Sequence, residues 1–119
     1  MMVLGPDLFF SGGKLCWNTW DSTGNLFGSI PATSNDGNWH NYVVVNDAVS
    51  NTAKLYYYGV LYGIAGYRDA SADTKLYIGG TTDGYQWNGT IGNFKVDNRV
   101  LTPAEVSENF NSLKTRYGL

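Results

Sequence analysis

A chain of 119 residues can hold one packed core, and 43% hydrophobic against 15% charged residues excludes a disordered polymer. A net charge of −2 gives nucleic acid and anionic membranes no electrostatic handle, and no apolar run approaches the length of a membrane span. The single cysteine, Cys16, excludes an intrachain disulfide framework, and the opening Met1-Met2-Val3-Leu4-Gly5-Pro6-Asp7 lacks the basic and apolar regions of a signal peptide.

With 15 Gly, 9 Tyr and 4 Trp, the composition favours short strands joined by tight turns. Leu8-Phe9-Phe10 reads as a strand ending at Gly12-Gly13, and residues 14–20 read as a second strand with alternating faces. Asp21-Ser22-Thr23-Gly24 is a turn, residues 25–30 form a shorter strand, and residues 31–38 form a polar loop. The clearest strand runs over 39–46, where Val43-Val44-Val45 is apolar on both faces, as a central strand requires. After a polar turn, residues 54–58 and 60–67 form a hairpin hinged at Gly59. Residues 68–74 are a loop, 75–79 a strand, 80–85 a Gly/Thr/Asp loop, and 87–97 the last strand.

The tail then changes period. Thr102-Pro103-Ala104-Glu105 has the N-cap threonine, the proline at the first helical position and the glutamate three residues on that make a capping box. Val106, Phe110, Leu113 and Tyr117 follow on one helical face, and Gly118 supplies a stop. The pattern predicts one amphipathic helix over 102–117 laid on a β-sandwich, all within a single domain spanning 1–119.

Five blocks in order resemble the laminin-G-like, concanavalin A-like jelly rolls. They are Gly37-Asn38-Trp39-His40 with its following valine run, Lys54-Leu55-Tyr56-Tyr57-Tyr58-Gly59-Val60-Leu61, Leu76-Tyr77-Ile78-Gly79-Gly80, residues 88–96, and Arg99-Val100-Leu101-Thr102-Pro103-Ala104-Glu105-Val106. Residues 109–119 are similar to the endings of such domains in bacteriophage structural proteins. The resemblance implies an all-β, antiparallel β-sandwich with one C-terminal α-helix. This copy departs from the family pattern in three ways. Tyr58 replaces a turn aspartate, Gly92-Asn93 replaces an acidic pair, and the strands expected before Leu8 are absent. It is thus either a minimal or truncated jelly roll or one that completes its sheets by homo-oligomerising through exposed edges.

The fold also carries glycoside hydrolases, which need two carboxylates flanking a bond. The only glutamates, Glu105 and Glu108, fall on the helix, the first as a capping residue, and the only histidine, His40, has no nucleophile motif beside it. A strand histidine paired with a neighbour is the expectation for His40. For carbohydrate, Tyr85 and Trp87 stand at a loop–strand junction beside Asp83, Gln86 and Asn88, offering rings to stack on and polar groups for hydroxyls. Many relatives hold calcium, and Asp69, Asp73 and Asp83 could supply oxygen ligands here. Trp17, Trp39 and Phe94 are expected in the core. Tyr57 and Tyr58, adjacent on a strand, are expected on opposite faces. Asn88-Gly89-Thr90 fits a glycosylation pattern but reads as a turn.

The expected function is a non-catalytic binding or structural module of phage type, a virion-associated adhesion or decoration domain whose partner is a glycan, a host surface or a virion protein. A free carbohydrate-binding lectin is the alternative, and a glycoside hydrolase relative comes third.

Overall fold

Strand pairing begins where local sequence leaves the backbone few other options. The computed structural model describes residues 7–11, 14–18, 36–67, 77–79 and 86–119. The first strands, β1 (Asp7–Ser11) and β2 (Lys14–Asn18), pair antiparallel with Leu8 opposite Trp17 and Phe10 opposite Leu15. A three-stranded antiparallel meander follows, of β3 (Tyr42–Asp47), β4 (Thr52–Tyr57) and β5 (Val60–Gly66). The predicted strands at 25–30 and, in its first half, 75–79 lie outside the described residues. Residues 77–79 themselves form a bend rather than a strand.

Both turns of the meander are explained by side-chain chemistry. Between β3 and β4, the Asp47 carboxylate accepts from the Val49 N–H at 2.9 Å and from the Ser50 hydroxyl at 2.7 Å, and Asn51 closes the loop at φ 54°. Between β4 and β5, only Tyr58 and Gly59 separate the paired residues Tyr57 and Val60, at φ 51° and 76°. Two successive positive φ values mark the primed hairpin turn whose twist matches that of the strands. Glycine takes this conformation freely, whereas tyrosine is strained in it. A bulge between Leu55 and Tyr56 re-registers β5 on β4.

Alternation then sorts the meander into two faces, and each buries apolar groups. Ala53 and Leu55 are fully buried on one face, with Tyr42, Val44 and Ala65 packed against them. Val45, Tyr56 and Val106 form the other cluster, flanked by Val43 and Leu101. Val106 belongs to α1 (Pro103–Leu113), so the helix covers this second face. The capping box forms as read: the Thr102 hydroxyl accepts from the Glu105 N–H at 3.2 Å, and the Glu105 carboxylate accepts from the Thr102 N–H at 2.8 Å. A 3-10 turn, Lys114–Tyr117, continues the helix, and Gly118 at φ 69° ends it.

Three expectations need correction. Residues 87–97 do not form a strand; Gln86 makes a single bridge, the Trp87 N–H donates to the Gly79 carbonyl at 2.8 Å, and the chain then runs irregularly. A strand needs a ladder partner, and here β3 lies across a cleft of about 520 Å³ from residues 93–97. Trp39 and Phe94 are not core residues, being 39% and 49% exposed. Trp39 instead tilts on Tyr117 with ring centroids 4.9 Å apart. The side chain of Trp17 lies outside the described residues.

Candidate functional site

The densest polar constellation among the described residues joins the approach to β3 with the β4–β5 turn. Asp36 begins it: its Oδ1 accepts from the Asn38 N–H at 2.8 Å, closing a local turn, and meets His40 Nε2 at 2.8 Å. His40 Nδ1 lies 2.7 Å from both the Tyr57 and the Tyr58 hydroxyls. The Tyr58 hydroxyl also donates to the Trp39 carbonyl at 3.1 Å. The β3–β4 register makes this meeting possible, because Tyr58 N–H donates to the Asn41 carbonyl at 3.1 Å and so brings the turn beside His40. Tyr57 and Tyr58 converge, with rings 4.1 Å apart, although neighbours on a strand alternate. The positive φ of Tyr58 takes it out of strand geometry and swings its ring to the same side.

Electrostatics define what this knot can do. The bonds from Asn38 and His40 hold the Asp36 carboxyl well below the usual carboxylate range. The ionised carboxylate takes a proton donor, so Nε2 carries hydrogen and Nδ1 is left to accept from a tyrosine. Burial, reinforced by the bond with Tyr58, pushes the Tyr57 hydroxyl well above its ordinary value of 10.0. A tyrosine raised in this way is not an activated nucleophile. Both ring nitrogens of His40 are engaged within the protein, and the imidazole stacks on Tyr57 at 5.9 Å. The pairing expected for His40 is present, and three side chains share it. Asp36 was missed by sequence reading; its only signal is the Asp36-x-Asn38-x-His40 spacing within a loop.

Glu105 is equally committed. Arg99 donates twice to Glu105, at 2.9 and 2.8 Å, while that carboxylate also caps the helix. These contacts, the guanidinium first, bring its pKa from 4.5 to about 2. Glu108 is exposed on the same helix.

Of the carbohydrate candidates, Gln86, Trp87 and Asn88 are consecutive and exposed. Asp83 and Tyr85 lie outside the described residues, as do Asp69 and Asp73 of the calcium set. Among the described residues no group of three acidic, histidine or cysteine side chains is placed to hold a metal.

A sequence model described as the concanavalin A-like lectin/glucanases superfamily matches residues 5–107. The chain belongs to that superfamily. Comparison with curated proteins and with solved structures returns no match. Within the superfamily pattern, the replacement of an acidic residue by Gly92 has a steric counterpart. A Cβ at Gly92 would stand 2.6 Å from Tyr117 Cε1 and 3.0 Å from Trp39. The Trp39–Tyr117 pair occupies the space a side chain would need, so a carboxylate there would require the Tyr117 ring to move.

Proposed function

We propose that this superfamily member is a non-catalytic binding or structural module. The observation that carries the reading is the internal commitment of Glu105 and His40, among the described residues. Glu105 is tied to Arg99 and to the helix start, and His40 is tied through both nitrogens to Asp36 and the tyrosines. A glycosidase needs two carboxyls facing a substrate with separated pKa values; Glu105 is not offered that way, and Glu108 lies exposed on the helix. The test is a reducing-end assay on soluble β-glucans. The expected release is at background, and release abolished by Glu105→Gln would sink the proposal.

The finer reading is a virion-associated adhesion or decoration domain. It is supported by the likeness of residues 109–119 to the endings of phage structural domains and by an association-prone strand. Val60 and Ile64 of β5 are 69% and 57% exposed on a segment without charge or proline. Natural edge strands usually carry such gatekeepers, and their absence favours association of copies of this chain. Light scattering should give a discrete oligomer that Ile64→Lys disperses; a monomer at high concentration would count against this reading.

A lectin is the second reading, favoured by the exposed Trp87 ring between the amides of Gln86 and Asn88. A glycan array should then return ligands lost on Trp87→Ala, while an empty array leaves the structural role.

A further inference from the structure

The segment after the Gln86 bridge carries the only asparagine in the sequence that is followed by glycine, Asn88-Gly89. This order sets an electrophile beside a nucleophile. The side-chain amide carbon of an asparagine lies within reach of the next residue's backbone nitrogen, and a glycine there puts no side chain in the path. Folded proteins suppress the reaction where a helix or a ladder keeps that nitrogen bonded and the backbone fixed. Here neither restraint operates. Residues 87–90 belong to no helix or strand, and Asn88, Gly89 and Thr90 are exposed. No hydrogen bond among the described residues holds the Asn88 amide or the Gly89 N–H. The backbone also demands the glycine. Gly89 sits at φ 156°, and a Cβ on it would stand 3.2 Å from the Trp87 indole nitrogen.

Two other pairs show what restraint looks like. Asn111-Ser112 lies inside α1, where the helical ladder takes up the Ser112 N–H. Asp36-Gly37 has the glycine, but the Asp36 carboxylate accepts from the Asn38 N–H and meets His40 Nε2, each at 2.8 Å. Those bonds keep it ionised, and a carboxylate anion is a poor electrophile.

We propose that Asn88 is a site of spontaneous deamidation in the folded protein, which turns the neutral Gln86-Trp87-Asn88 surface into an anionic one. The Gly89 nitrogen gives its proton to solvent base and bonds to the Asn88 side-chain carbon. The carbon–nitrogen bond of the side-chain amide breaks, and ammonia leaves with a proton taken from water. Water then opens the cyclic imide on either side. One opening gives aspartate, and the other gives isoaspartate, whose main chain is longer by a methylene. Nothing is oxidised or reduced. Either product sets a carboxylate beside the Trp87 ring, which already lies against Gly89. The inference does not rest on the proposed function, because no ligand or partner takes part.

The test is to age the full chain in mildly alkaline buffer, folded and in urea, and to follow its peptides by mass spectrometry. In the folded chain the peptide holding Asn88 should gain one mass unit and split into an aspartate form and a more abundant isoaspartate form, as fast as in urea. Asn88→Gln should abolish the gain and leave the fold intact, since the position is exposed and unbonded. A folded chain that keeps Asn88 while the unfolded chain converts would overturn the inference, because the fold would then be restraining the site. Aspartate without isoaspartate would overturn it too, because water would then have attacked the amide directly with no ring closure.

Discussion

Tyr58 bears the largest local conflict among the described residues. It adopts a backbone conformation suited to glycine or asparagine, yet its hydroxyl reaches both His40 and the Trp39 carbonyl. Strain of this kind costs about 1–3 kcal/mol and persists only where the surroundings over-determine it. Tyr58→Phe keeps the ring and the strain but removes the bonds, so it should lower unfolding stability by about 0.5–1.5 kcal/mol in urea titration. Gly59 is the complementary case: an added Cβ would meet Phe110 at 3.1 Å and would sit at φ 76°. Gly59→Ala should therefore cost about 1–3 kcal/mol and loosen the helix as well as the turn. Acid should act through two carboxyls. Asp36 and Glu105 both titrate below their ordinary values of 3.8 and 4.5 in the folded chain. The unfolded chain binds their protons first, so their contribution is complete above about pH 4.5 and is lost as the pH falls toward 2. Glu105→Gln keeps a capping side chain but not the charge, and should flatten the stability profile across that window.

At the scale of elements, the helix is the best-specified part. Thr102→Ala removes an observed cap bond and should cost about 0.5–2 kcal/mol, read from the loss of helical circular dichroism on heating. The helix and the β3–β5 meander were legible because their signals are local: a capping box, a 3.6-residue apolar period, a valine run and a glycine hinge. The site was not. Asp36, His40, Tyr57 and Tyr58 meet only through the β3–β4 register and the left-handed turn, and neither shows in the spacing of those residues. Residues 87–97 failed for the opposite reason. Their alternation is a true strand signal, but alternation names a face and not a neighbour, and β3 stands a cleft away. Trp39 and Phe94 show the same limit, since a large ring is core only where other elements come to cover it.

For the molecule as a whole, stability rests on a sheet buried from both sides. Leu55 is fully buried on one face and Val106 on the other. Leu55→Ala should cost about 2–5 kcal/mol, a large share of what a domain of this size possesses. The uncharged, exposed β5 is the surface on which the proposed self-association rests, and the superfamily assignment fits a binding surface as well as a structural one.

The packing of Tyr117 on Trp39 ties the last turn of the chain to the approach of β3, with Gly92 close against both rings. An indole and a phenol held 4.9 Å apart exchange excitation energy efficiently, and their fixed tilt makes both optically chiral. With four tryptophans in the chain, the part of the emission lost in Trp39→Phe isolates that pair and reports whether the terminal turn is seated, with no attached dye.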